Sequence, residues 1–333
     1  MYRRSLLVAV AGLSGCAGLG STLGGGSDQT TPESGSGDDS ADITESADGP
    51  ANATATATSA AATTPDGTPS TAELQRMDVD ELLAFARDRA GQAVEAYVGD
   101  GGSLTAVTAA TDSFDPSPVI EALYGARAAY EAADRQGLSH DQEQTIQLLR
   151  RFETALRLAI DVQEHLGESH DDLVRLVDAI EYVDAETTAS ITERAASRQT
   201  RADETLARLS LDRYTGSVGV TDRLTRDEFV EKRLQFETET EVLGHLVDAL
   251  DPVVDGVRLL SRARGKRQSG SPYAAATLSR DAEASFAQGT AALDEVANDA
   301  PPLGRGFVGV SSTLVRTTED RRLEARRLHE SLS

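Results

Sequence analysis

Residues 225–267 read TRDEFVEKRLQFETETEVLGHLVDALDPVVDGVRLLSRARGKR, and this stretch decides the fold. Phe229, Phe236, Leu243, Leu250 and Val257 recur every seven residues, with Leu246, Val247, Val253, Val254 and Leu260 beside them. An apolar repeat of seven sustained this far predicts one long helix packed along a seam. Thr225 and Glu228 have the spacing of a capping box at its start. Pro252 sits inside the pattern without an N–H to donate, so a kink or break is expected near Leu250.

The same signals recur on both sides. Asp78-x-x-Glu81 opens a run with Val79, Leu83, Ala86, Ala90, Ala93 and Tyr97 on one face, stopped by Gly99-Asp100-Gly101-Gly102. Pro118 opens a second helix, ending near Gly137. Ser139-x-x-Gln142 caps a third, with Ile146, Leu149, Phe152, Leu156 and Ala159, which runs towards Leu166 and is expected to break at Gly167. Leu173, Val177 and Ile180 mark a short fourth, and the thin stripe of Ile191, Ala195, Ala202 and Leu206 a more exposed fifth. Two helices, Tyr273 to Ala297 and Gly304 to Leu332, close the chain, and no useful period-2 strand is present. No repeat of tetratricopeptide length returns. The expected fold is all-α: an antiparallel helical bundle, or two packed bundles meeting near Asp212–Thr221.

Composition narrows the function. The 333 residues carry 55 acids against 32 bases, a net charge of −23, with one cysteine and 4% aromatics. Such a surplus of carboxylates argues against a nucleic-acid partner, which calls for clustered Lys and Arg. One cysteine excludes an internal disulfide framework, a cysteine zinc finger and a protein-ligated iron–sulfur cluster. Only Lys232 and Lys266 are lysines; the other bases are arginine. Acid surplus with almost no lysine resembles the proteins of salt-accumulating haloarchaea, where about molar salt cuts the Debye length to about 3 Å; an acidic mesophilic protein from a GC-rich genome is the alternative.

The N-terminus carries an address. Arg3 and Arg4 precede an apolar run from Leu6 to Leu13 and then Ser14-Gly15-Cys16. The run is eight residues long, far short of the about 20 that span a bilayer, and has the form of a secretory signal. Leu13-Ser14-Gly15-Cys16 resembles a lipobox, and Arg3-Arg4-Ser5-Leu6-Leu7 resembles a twin-arginine export signal; an ordinary secretory signal with two arginines is the alternative. Together they resemble the signal of a haloarchaeal-type secreted lipoprotein, which implies cleavage before Cys16 and a lipid on its thiol. No family resemblance extends to the helical body.

From Ala17 to Ser70 the chain is Gly, Ser, Thr, Ala, Asp and Pro, with eight acids and no base. Leu19, Leu23 and Ile43 are its only large apolar residues, so a disordered tether is expected. Asn52-Ala53-Thr54 is a glycosylation sequon within it. The organisation expected is a signal peptide at 1–15, a lipid-anchored tether at 16–70, and helical parts at 71–211 and 222–333.

Motifs for chemistry are sparse. Gly304-Arg305-Gly306-Phe307-Val308-Gly309 spells a dinucleotide fingerprint, but Pro301-Pro302 stand where it needs a strand, so glycines at a helix start are the reading. Gly309-Val310-Ser311-Ser312-Thr313 lacks the second glycine of a nucleophile elbow. His165 and His170, with Glu164, Glu168, Asp171 and Asp172, read as a solvated turn rather than a cation site. Glu237, Glu241 and His245 lack the Glu-x-x-His spacing of di-iron bundles and read as a surface pair. Arg258, Arg262, Arg264, Lys266 and Arg267 form a basic cluster at a helix end; it could dock an anionic partner or lipid headgroup, but the macrodipole favours cations there without any partner, and that is the reading. Arg321, Arg322, Arg326 and Arg327 interleave with Glu319, Glu324 and Glu330 as a salt-bridged face.

The function expected is therefore a cell-surface lipoprotein on the outer face of the cytoplasmic membrane. Its helical body would be a non-enzymatic interaction or scaffold module for an unidentified protein partner. The alternative is a ligand- or ion-binding accessory protein for a transporter or sensor, and an enzyme with an unrecognised site is a third. Cys16 is assigned to lipidation, Arg3 and Arg4 to export and Asn52 to glycosylation; no catalytic, cofactor or metal residue is assigned.

Overall fold

A computed structural model of the protein describes residues 69–99, 102–112 and 114–333. Arg3, Arg4, Cys16 and Asn52 lie outside the described residues, as do the expected signal peptide and the tether up to residue 68. Among the described residues the fold is all-α with no strand. The helices are α1 (Thr71–Leu74), α2 (Val79–Val98), α3 (Ser117–Asp134), α4 (His140–Tyr182), α5 (Ala185–Arg208), α6 (Leu211–Tyr214), α7 (Arg226–Gln268), α8 (Pro272–Asp299) and α9 (Val308–Glu330).

The caps are those the spacing predicts. Asp78 and Glu81, Ser139 and Gln142, and Thr225 and Glu228 each form a reciprocal capping box, satisfying amides that a helix start leaves unpaired. Ser70 and Glu73 add a fourth.

Two expected breaks do not occur. Gly167 lies inside α4, which runs unbroken for 43 residues, about 65 Å at 1.5 Å per residue. A glycine inside a helix costs about 1 kcal/mol against alanine. Buried Val162, Leu166, Leu173 and Leu176 on either side supply more than that. Pro252 likewise lies inside a continuous α7, between the fully buried Leu250 and Val253. Its ring faces α8 at Gly289. Packing against a neighbouring helix offsets the hydrogen bond that proline forgoes.

Successive long helices pack antiparallel. Arg150 meets Asp134 and Glu153 meets Tyr130 between α3 and α4, whereas Asp172 meets Arg194 and Arg198 between α4 and α5. Gly256 of α7 receives the Phe286 ring of α8, and Glu283 of α8 meets Arg322 of α9. The long α4 is the shared spine: its first half packs on α2 and α3, and its second half on α5 and α9. The seam residues Phe236, Leu243, Leu250 and Val257 are fully buried, and one apolar core runs from Leu74 to Leu328.

α4 also gives the body two ends. At one, Gln142 near the start of α4 donates to Asp80 of α2, and Gln136 donates to the Met77 carbonyl, close to where the chain enters the body at Ser70. At the other, roughly 60 Å along the helix, Arg321 of α9 donates to the Glu181 carbonyl.

Candidate functional site

A buried cation and a buried carboxyl lie on α7, beside its apolar seam. Lys232, Gln235 and Glu239 fall at i, i+3 and i+7, so one helix face carries all three into the core. Lys232 is 3% exposed, Gln235 1% and Glu239 0%.

Their polar atoms close on one another and on the segment 104–112, which crosses α7. Lys232 Nζ donates to the Val107 carbonyl, to Gln163 Oε1 of α4 at 3.0 Å and to Gln235 Oε1 at 3.1 Å. Gln235 Nε2 donates to the Thr105 and Val107 carbonyls and to Glu239 Oε1 at 3.4 Å, so it bridges cation and carboxyl. Glu239 accepts from the Ala109 amide at 3.3 Å and from the Gly306 amide. Gln163 Nε2 donates to the Thr108 carbonyl at 2.8 Å, and the Tyr97 hydroxyl donates to Gln163 Oε1. The Lys232 ammonium lies 4.4 Å from the centre of the Phe236 ring, which supplies a cation–π contact.

Burial sets the electrostatics. It pushes Lys232 down and Glu239 up, each towards about 7, while the opposite charge of the other resists the shift. Burial likewise pushes the Tyr97 hydroxyl well above its ordinary value, with the Glu239 charge adding to it. The apolar space beside Lys232, lined in part by Tyr97, Phe152, Leu156, Phe229 and Phe236, measures only about 20 Å³. That holds nothing larger than a water. The network serves the chain itself: it satisfies buried carbonyls and an amide of a segment whose regular structure is a single 3-10 turn, Leu104–Ala106.

The glycine string belongs to this network. Pro302–Phe307 is a 3-10 turn leading into α9. A Cβ on Gly306 would lie 2.6 Å from Glu239 Oε1 and 3.0 Å from the Ala109 amide, and one on Gly304 would lie 2.9 Å from Val242. These glycines permit close backbone approach. The anion that the Gly306 amide meets is a carboxylate of its own chain.

The histidine candidates do not converge. His165 and His170 stand on an unbroken helix, where five residues turn the side chain by roughly 140°. Asp172 is 1% exposed and faces α5, where Arg194 meets it through Nη2 at 3.0 Å and Nε at 3.3 Å, and Arg198 joins them. Glu168 pairs with Arg198 at 2.8 Å. His170 tilts against Phe307, and burial lowers its pKa. Glu241 and His245 face each other at 3.9 Å on the surface, and Glu237 pairs with Arg233. Among the described residues no group of three or more His, Cys, Asp or Glu is placed to hold a metal ion.

The basic cluster divides. Arg258 pairs with Asp255 at 2.7 Å, and Arg264 donates to Glu324 of α9 at 2.9 Å. Arg321 donates to the same carboxylate at 2.8 Å, so Glu324 serves two guanidiniums. Arg322 holds Glu319 through two bonds of 2.7 Å, and Arg326 pairs with Glu330, as the interleaved spacing predicts. Arg267 and Arg327 are exposed, and no acid among the described residues pairs with either. With Arg264 and Arg321 they line a groove of about 860 Å³ between the last turns of α7 and α9, which also contains Asp320 and Glu324.

The Lys232–Gln235–Glu239 stripe was not legible as a site, because the apolar repeat beside it accounts for the helix without it. One signal was present: Lys232 is one of two lysines in a chain that otherwise uses arginine. No protein-family model, curated protein or solved structure matches the chain.

Proposed function

We propose that the protein is an exported lipoprotein, held through Cys16 on the outer face of the cytoplasmic membrane, whose helical body is a non-enzymatic interaction or scaffold module. The observation that carries the anchor is the position of the lone cysteine, which closes Leu13-Ser14-Gly15-Cys16 directly behind an apolar run and two arginines. No helix among the described residues is long and apolar enough to cross a membrane. The resemblance of Arg3-Arg4 to a twin-arginine signal supports export in the folded state, and the acid surplus supports work in concentrated salt. An exported chain would also expose Asn52 to glycosylation.

What supports an interaction module is how the body uses its buried charges. Lys232, Glu239 and Asp172 are each committed to groups of the same chain, and the apolar space beside Lys232 is too small for a substrate. The alternative, a ligand- or ion-binding accessory protein for a transporter or sensor, draws on the groove lined by Arg264, Arg267, Arg321 and Arg327.

Cys16→Ser tests the anchor. The variant should leave the membrane fraction for the medium, or persist as an uncleaved precursor. A Cys16→Ser protein still membrane-bound with a normal cleaved N-terminus would refute it. Replacing Arg3-Arg4 by two lysines keeps the charge, and lost export would identify the twin-arginine route.

A further inference from the structure

We propose that the groove between the last turns of α7 and α9 docks an acidic polypeptide segment of a partner protein, with Arg267 and Arg327 as the carboxylate-binding groups. The inference rests on the reading of the body as an interaction module and names the chemistry of its partner. Four guanidiniums line this groove against two carboxylates, an excess of two positive charges, in a body where residues 71–333 hold 47 acids and 30 bases. Glu324 is already shared by Arg264 and Arg321, while Arg267 and Arg327 have no acidic partner among the described residues. A guanidinium binds a carboxylate through two parallel hydrogen bonds, and such contact pairs act within the few ångströms that concentrated salt leaves unscreened.

The surroundings favour a protein segment. Tyr182 is 76% exposed and Tyr273 is 87% exposed, and both stand at this end of the bundle. Tyr182 follows Glu181, whose carbonyl accepts from Arg321, and Tyr273 begins α8 just beyond the end of α7. Neither tyrosine lines the groove itself, but exposed aromatic side chains at the same end of the bundle are what a protein interface draws on. A bilayer is broad and cannot follow a concave groove, whereas a chain segment can enter it. Asp320 and Glu324 inside the groove repel a dense polyanion such as nucleic acid, but leave room for spaced carboxylates. This end also lies roughly 60 Å along α4 from where the chain enters the body.

The test uses the full chain in detergent, in salt that maintains its helicity. The probes are a fluorescein-labelled peptide of alternating Glu and Ser, its Gln counterpart, inorganic phosphate, and vesicles containing phosphatidylglycerol. The Glu peptide should bind saturably and the Gln peptide should not. Arg267→Glu with Arg327→Glu should weaken Glu-peptide binding by about tenfold or more, whereas Arg262→Glu with Lys266→Glu, outside the groove, should change it little. If the reversal pair loses helicity, Arg267→Gln with Arg327→Gln replaces it, with the same loss of binding expected. Equal binding by the wild type and the groove variants would overturn the proposal. So would no peptide binding, equal binding of the Gln peptide, or arginine-dependent binding of the vesicles or phosphate alone. None of these outcomes alters where Cys16→Ser protein is found, so failure of the groove and failure of the anchor are separable.

Discussion

Lys232 and Arg267 are both cations on α7, about ten turns apart, and they have opposite fates. Lys232 is 3% exposed and gives its hydrogen bonds to the Val107 carbonyl, Gln163 and Gln235. Arg267 is exposed at the helix end and has no acidic partner among the described residues. A charge taken into the core must be matched there, so its partners become part of the fold. A charge left at a helix C-terminus gains about 0.3–1 kcal/mol from the macrodipole and stays available. The cationic end alone therefore requires no partner. What distinguishes this one is its concave shape and two guanidiniums, Arg267 and Arg327, that no acid among the described residues pairs with, Arg327 Nε donating only to the Leu323 carbonyl.

The comparison breaks most readily at the buried end. Lys232→Met should cost about 3–5 kcal/mol, because it leaves Glu239 buried without its cation. It should also change the pH profile. The Glu239 carboxyl, already pushed up by burial, would be held higher still. Between its ordinary value of 4.5 and the raised one, the folded chain keeps a proton that the unfolded chain loses. Stability should then fall as pH rises, by up to about 1.4 kcal/mol per unit. Urea titrations of the variant from acid to neutral pH check this. A flat profile would mean that Glu239 is not desolvated.

Gly306→Ala sharpens the same point. Its methyl would meet Glu239 Oε1 at 2.6 Å, an oxygen that already accepts from the Ala109 amide at 3.4 Å. A cost of about 1–3 kcal/mol is expected from overpacking, visible as a lower urea midpoint. A neutral result would show that the turn ahead of α9 has slack. At the exposed end, Arg267→Glu with Arg327→Glu reverses two last-turn charges and should cost no more than about 1–2 kcal/mol, the macrodipole share of the pair. A larger loss would place those arginines among the ties of the fold.

The same two regions show what a sequence conveys. The seam of Phe236, Leu243 and Leu250 and the boxes at Asp78, Ser139 and Thr225 are legible because their causes are local in sequence. Gly167 and Pro252 mislead, because each carries a real local penalty that contacts from other helices outweigh. The Lys232 network is illegible for a related reason. Its carbonyls come from residues more than 120 positions away, and nothing near Lys232 announces them. The Arg264–Arg267 cluster is visible as a charge run, but its groove exists only once Arg321 and Arg327 of α9 lie alongside.

The central claim is that Lys232 and Glu239 act as one unit through Gln235 to tie the segment 104–112 onto α7. A double-mutant cycle measures this directly, with urea unfolding of the wild type, Lys232→Met, Glu239→Gln and the double variant in the same salt. The double variant should lose less stability than the two single losses combined, with a coupling of about 1–3 kcal/mol. Losses that add to within about 0.5 kcal/mol would contradict the claim and make the two residues independent occupants of the core.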